Sequence, residues 1–242
     1  MNNLTRRSAL GLFVAAGGAT LLAACGAQPQ ASSSSASGSA SVSSAATAST
    51  RSDYAGPAAL EGYTSKPADY QPATRTEASK NAPVPVKPAV ANENSVEGFY
   101  QSIAFFGAAM EYYMRTGKTE PLRESAIDKA EIKAILEPEE DTVGAKLLKG
   151  ELWMHDPTVT ITMLSAQPER DGDAYTWKVR FTMTSGEFMA SKGKALDIPE
   201  SSRENVNERT LRGVYENGGW KLTGMKAESE ASPTSTSATT PA

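Results

Sequence analysis

From Gly26 to Thr50 the chain is built almost wholly from Ser, Ala, Gly and Thr, with Val42 its only larger apolar side chain. A run of this kind cannot bury enough surface to offset the entropy of ordering it, so no packed fold can contain it. It reads as a flexible linker. From Arg51 to Asn94 the composition turns towards proline and ends in Pro83-Val84-Pro85-Val86-Lys87-Pro88, where each ring fixes φ and pushes its predecessor extended. The expectation is a stiffer, polyproline-like continuation, so that residues 25–89 form one disordered tether with Tyr54, Tyr63 and Tyr70 as isolated aromatics in a coil. Residues 227–242, again Ser, Thr and Pro, read as a frayed tail. That confines the fold to residues 90–226, a stretch of about 135 residues, enough for one core and one domain.

Within that stretch the hydrophobic period changes once. Asn94 and Ser95 are good N-caps, and Val96, Phe99, Tyr100, Ile103, Phe106, Met110, Tyr113 and Met114 follow at helical spacing. This predicts a helix of about twenty residues, apolar around most of its circumference and therefore central. Gly107 inside it points to close approach of another element. Gly117 supplies a left-handed C-cap, and Thr119-Glu120-Pro121 opens a second helix expected over Glu120 to Leu136, with Leu122, Ala126, Ile127, Ala130 and Ile135 inward. Glu139-Glu140-Asp141 reads as a solvated loop. After Gly144 the pattern alternates: strands are expected at Thr158 to Met163 and Tyr175 to Met183, joined at Asp171-Gly172-Asp173, and at Arg209 to Tyr215 and Trp220 to Met225, closed by the hairpin signal Asn217-Gly218-Gly219. Helices first and an antiparallel sheet afterwards give an α+β fold with the N-terminal helices packed on the sheet.

The N-terminus carries an address. Residues 1–24 hold no acidic residue, two cations at Arg6 and Arg7, and an apolar stretch from Ala9 to Ala24 too short for a comfortable membrane span, the pattern of a signal peptide. Leu22-Ala23-Ala24-Cys25 then resembles the lipobox of bacterial lipoproteins, in which small residues precede the cut and the thiolate accepts a diacylglycerol. Thr5-Arg6-Arg7-Ser8-Ala9-Leu10 also resembles the twin-arginine export motif. The expected location is the outer face of the cell membrane, with Cys25 as lipid anchor. Cys25 is the only cysteine, so a lipidated chain has no disulfide and no thiolate chemistry. Its formal charge of −4 becomes more negative once Arg6 and Arg7 are removed, which gives it no bulk attraction for nucleic acid.

The order of parts is similar to the cone-shaped NTF2-like architecture, with helices over the concave face of a curved antiparallel sheet. More narrowly, Glu97-Gly98-Phe99-Tyr100, the long aromatic helix, Thr116-Gly117-Lys118-Thr119-Glu120-Pro121-Leu122 and a Trp-bearing strand resemble, over about residues 83 to 226, a group of actinobacterial lipoproteins known as domain of unknown function 6318. Members carry a cysteine pair after the Thr-Gly turn. This chain has none around Asp128 to Lys133. The resemblance implies no activity, cofactor or ligand.

The residue inventory is poor in catalytic material. His155 is the only histidine, so a histidine-based metal cluster or a serine triad has nothing to build on. Asp171-Gly172-Asp173 lacks the later ligands of a calcium loop and reads as a turn. Lys192-Gly193-Lys194 reads as a basic loop. Tyr100, Tyr112 and Trp153, with Tyr113 and His155, are the side chains a cone would direct into a pocket, where a Tyr donor beside an acid would suit enolate chemistry. As packing they would simply fill the core. No catalytic residue, metal or cofactor is assigned. The reading is a non-catalytic binding or interaction module at the cell envelope, with an envelope protein or wall component as partner; the alternative is an NTF2-like enzyme acting on a small apolar substrate.

Overall fold

The computed structural model describes residues 51–64 and 67–225. The signal and lipobox residues Arg6, Arg7, Leu22, Ala23, Ala24 and Cys25, the run to Thr50 and the tail expected over 227–242 lie outside the described residues.

Helix α1 (Val96–Thr116) forms where the apolar spacing places it, and both ends are closed as the sequence implies. The Ser95 hydroxyl accepts the Gly98 N–H at 3.0 Å. Gly117 takes φ 72° and donates its N–H to the Tyr113 carbonyl at 2.7 Å, while a Cβ there would stand 2.1 Å from the Leu147 carbonyl oxygen. Only glycine meets both demands. Phe99, Tyr100, Ile103, Phe105, Phe106 and Ala109 are all buried, so the helix is central.

The second helix does not run as expected. The chain forms α2 (Glu120–Glu124), leaves the helix at Ser125, and returns to helix only in α3 (Lys133–Leu136) and α4 (Val143–Leu148). Ser125 is extended at φ −67°, ψ 157°, with its hydroxyl turned back onto the Leu122 carbonyl at 2.6 Å. Beyond it the backbone pairs with a strand: the Leu222 N–H donates to Ala126 O and the Asp128 N–H donates to Leu222 O, each at 2.8 Å. Lys129 Nζ then caps the freed carbonyls of Arg123 at 2.5 Å and Ser125 at 3.4 Å. Of the residues expected inward, Leu122 and Ile127 are buried, Ala126 and Ile135 are half-buried and Ala130 is exposed, while Ile132, outside that series, is buried, because an irregular segment sets its inward positions by tertiary contact and not by helical period. Glu139 to Asp141 do form a loop, and the Thr142 hydroxyl caps α4 by accepting the Ala145 N–H at 3.2 Å.

The strands in chain order are β1 (Gly56–Pro57), β2 (Leu152–Met154), β3 (Thr158–Met163), β4 (Glu169–Asp171), β5 (Ala174–Thr184), β6 (Phe188–Ser191), β7 (Lys194–Asp197), β8 (Glu204–Glu216) and β9 (Gly219–Thr223). Among the described residues they form an open six-stranded antiparallel sheet, β1-β3-β5-β8-β9 with β4 also on β5, and a smaller sheet β2-β6-β7. The fold is thus α+β with antiparallel sheets. Register sets Ile161 opposite Phe181 and Trp177 opposite Leu211, and α1 packs on that face. Phe99 meets Trp220 at 5.1 Å and Trp177 at 5.8 Å between ring centroids, and a Cβ on Gly107 would lie 3.2 Å from the Ile161 side chain, the close approach its glycine implies. Asn217 and Gly218 turn β8 into β9 with φ of 52° and 80°. Asp171-Gly172-Asp173 turns β4 into β5 and does not join β3 to β5, and Lys192-Gly193-Lys194 is the tip of the β6–β7 hairpin. Strands of three or four residues offer too few alternations to announce themselves.

The largest correction concerns the tether. Residues 51–64 and 67–89 are part of the folded unit, not a coil before it. Tyr54 is 1% exposed, between Tyr100 and Trp177 at centroid distances of 4.9 and 5.8 Å, and its hydroxyl donates to Glu97 at 2.7 Å. β1 adds an edge to β3, and the Thr64 and Val86 amides donate to Val84 O and Gly62 O across an antiparallel pair. Ala73 joins Trp153, Phe188 and Ala190 in a second apolar cluster that covers the small sheet. Pro83 and Pro85 are buried. Proline brings apolar surface and no N–H to satisfy, so an extended proline-rich segment can lie along a domain at little hydrogen-bonding cost. The aromatic and apolar side chains of this segment are spaced to no regular period, which is why the composition alone reads as linker.

Burial of this segment has a pH consequence. Burial, with the field of Glu97 added, holds the Tyr54 phenol well above its ordinary value, and burial pushes Tyr70 up to about 12 from 10.0. The folded state therefore keeps these protons more tightly than the unfolded chain does. Their contribution is complete below pH 10 and is lost as the pH rises towards 12. The Tm is expected to fall across that window and Tyr70→Phe to reduce the slope; identical slopes in thermal melts of the two proteins would contradict the assignment.

Candidate functional site

Among the described residues, Tyr100 is not part of the lining of the recesses at the wrap. It is buried, and its hydroxyl accepts the Ala59 N–H at 3.1 Å, so it fastens the wrapping segment to α1. Phe99, Ile103, Phe106, Trp177, Phe181 and Leu211 fill the space between α1 and the large sheet. Open volume lies instead outside that core: a hollow of about 650 Å³ is lined by residues between Ala130 and Gly144, and others lie at the wrap.

There a recess of about 320 Å³ lies among residues 78–84 of the wrap, the last turn of α1, the end of α4 and β2. Its walls include Ser79, Asn81, Tyr112, Arg115, Lys118 and Trp153. Tyr112 and Trp153 both line this recess, which lies outside the core and not in the interior into which a cone would direct them, and Tyr100 is not among its walls. A shallower depression of about 480 Å³, lined by Ala68, Asp69, Gln71 and Asn81, adjoins it through Asn81. An antiparallel bridge sets this geometry: Gln71 and Lys80 exchange N–H···O bonds of 2.9 and 3.0 Å, and Asn81 follows at φ 55°. Trp153 is held by its indole N–H, which donates to Thr74 O at 2.7 Å.

Arg115 sits at the back of the recess with its charge already matched. One terminal nitrogen is 2.8 Å from Glu111, the other 3.5 Å from Asp156, and Nε donates to Pro157 O at 3.2 Å. Its guanidinium lies 4.4 Å from the centroid of the Tyr70 ring, whose hydroxyl is buried and has no hydrogen-bond partner among the described residues. Glu111 also accepts the Val159 N–H at 3.0 Å, tying the pair to β3. Asp156 reaches Arg115 from a left-handed backbone at φ 42°, a conformation that packing around the loop must hold. The Ser79 and Thr116 hydroxyls are spent on the Arg115 and Tyr112 carbonyls. Among the described residues the Tyr112 hydroxyl, the Lys118 ammonium and the side-chain amides of Asn81 and Gln71 have no partner.

The 320 Å³ recess has no carboxylate or imidazole in its lining. His155 lies elsewhere, stacked on Phe188 at 4.8 Å with Nδ1 accepting the Glu187 N–H at 3.4 Å. No three His, Cys, Asp or Glu side chains gather as a metal ligand set among the described residues. What the recess offers is unsatisfied hydrogen-bonding groups against an apolar and aromatic floor, which suits binding. Sequence reasoning missed Asn81, Gln71, Arg115 and Lys118. For the first two the only hint was the recurrence of Tyr54, Tyr63 and Tyr70, an aromatic frequency unusual for a linker.

A family model described as Family of unknown function (DUF6318) matches residues 68–226. The match thus begins inside the wrap and takes in both recesses. No curated protein and no solved structure matches the chain.

Proposed function

The chain belongs to the family of unknown function DUF6318, and from that premise we propose that it is an exported, lipid-anchored lipoprotein of the actinobacterial type whose folded unit binds a ligand at the cell envelope. The observation that carries the binding half is the recess under the wrap: unpaired polar groups face solvent there, without the carboxylate or imidazole that proton-transfer chemistry would use. An enzyme of NTF2-like architecture would need its polar constellation inside the cone, where Tyr100 is committed to Ala59 and aromatic rings occupy the space. The NTF2-like reading itself is supported by the order of α1 before an antiparallel sheet and by its packing on one face of that sheet.

The anchoring half rests on Arg6, Arg7 and Leu22-Ala23-Ala24-Cys25. Mass spectrometry of the membrane-extracted protein is expected to show a diacylglyceryl thioether on an N-terminal Cys25; a free thiol or a cut elsewhere removes the localisation. For binding, the purified full chain is expected to co-sediment with isolated cell envelopes, and Asn81→Ala with Tyr112→Phe to abolish most of it. Co-sedimentation indifferent to those substitutions would place the binding face elsewhere.

A further inference from the structure

We infer that the recess around Asn81 takes a neutral, hydroxyl-rich ligand of the oligosaccharide class. This rests on the binding reading above and names the chemistry of that site. The two recesses, about 320 and 480 Å³, each fall within the range of small-ligand sites and share Asn81 as a wall, so a ligand that extends past Asn81 would reach both.

The class follows from what the lining can satisfy. An anion would find Arg115 already neutralised by Glu111 and Asp156, one water-exposed ammonium at Lys118, and the Asp69 carboxylate at the other end. A cation would meet Arg115 and Lys118. A wholly apolar ligand would strip water from the Tyr112 hydroxyl and the Asn81 and Gln71 amides without replacing its hydrogen bonds. Each of those three groups both donates and accepts, as do the hydroxyls of a sugar. The Trp153 and Tyr112 rings with Val84, Leu147 and Leu152 give a floor for the C–H faces of a sugar ring. Asp69, Gln71 and Asn81 line the shallower end with planar polar groups, which suits a chain of sugars continuing out of the deeper recess.

Trp153 supplies the readout, since Trp177 and Trp220 belong to the main core and Trp153 alone lines the recess. The detergent-solubilised full chain would be titrated with chitotetraose, cellotetraose, tripolyphosphate and spermine, by calorimetry and by tryptophan fluorescence. Saturable binding of at least one neutral tetramer is expected, with a fluorescence change that Trp153→Phe removes. Tyr112→Phe and Asn81→Ala are each expected to weaken it about fivefold or more, as the loss of a ligand hydrogen bond should. Leu196→Ala, on the exposed β7, is expected to leave affinity unchanged, and unshifted melts would show that the variants fold. Saturable binding of neither tetramer, preference for tripolyphosphate or spermine, or affinities untouched by both recess substitutions would overturn the proposal. Envelope co-sedimentation that still depends on Asn81 and Tyr112 while no tetramer binds would sink the ligand class alone; co-sedimentation independent of them would sink the binding face beneath it.

Discussion

Tyr54→Ala is expected to cost about 3–5 kcal/mol of unfolding free energy, the range for deleting a fully buried aromatic side chain, and so to lower Tm by about 10 °C or more for a unit of this size. The side chain is 1% exposed and lies against Tyr100 and Trp177 at the centre of the main core. Its phenol also satisfies Glu97 near the start of α1. Tyr54→Phe separates the two contributions: it keeps the ring and loses one hydrogen bond, leaving Glu97 with its bond from Gln101, so a loss of about 1 kcal/mol is expected. The same argument makes a chain begun at residue 90 a poor folder, because it would expose the surface Tyr54 covers and strip β1 from β3. Chemical denaturation of the two variants decides the matter. If Tyr54→Ala unfolds within 1 kcal/mol of the unsubstituted chain, the wrap is not part of the core.

Gly186→Ala is expected to be as damaging, by a different mechanism. Gly186 takes φ 74° in the turn between β5 and β6, and a Cβ there would stand 1.4 Å from the His155 carbonyl oxygen. The left-handed backbone alone costs an alanine about 1–2 kcal/mol, and the overlap with a main-chain atom cannot be relieved by rotating a side chain. The turn and the His155 main chain would have to separate. His155 donates its N–H to Phe188 O at 3.0 Å and Ser185 donates to Arg203 O at 2.9 Å, so both anchors are at risk. A loss of about 3 kcal/mol or more is expected. Asp156 follows His155 directly, and its left-handed backbone and its contact with Arg115 depend on that loop, so the substitution is also expected to weaken any ligand held in the recess beneath the wrap. A melt like that of the unsubstituted chain would contradict the close approach of His155 to Gly186, and unchanged affinity with a lowered melt would dissociate the loop from the recess.

The inverse experiment is informative at Gly218. A Cβ there meets nothing within 4 Å, so Gly218→Ala carries only the strain of φ 80° and is expected to cost about 1–2 kcal/mol, well short of Gly186. Equal losses at the two positions would mean that backbone conformation, not the approach of His155, dominates at Gly186.

What could be read from the residues alone was whatever short-range physics decides. The span of α1 follows from the Ser95 cap, a continuous 3.6-residue stripe and a glycine at residue 117, all acting over a turn or two. β3, β5 and β8 declare themselves by alternation sustained over six or more residues, and Asn217-Gly218 by the backbone conformations a tight hairpin demands. The tertiary structure decided the rest through contacts between residues far apart in the chain. Tyr54 meets Glu97, Thr74 meets Trp153, and Ile127 pairs with Leu222. None of these leaves a local period. A proline-rich stretch and a linker have the same composition, and only a complementary surface at the other end of the contact turns one into a wall of a binding site. Likewise Leu122, Ala126 and Ala130 fall at helical spacing, but the backbone at Ala126 and Asp128 pairs with Leu222 of β9 instead of continuing the helix. The recess exists because such long-range pairings bring Asn81, Tyr112 and Trp153 together from three separate segments.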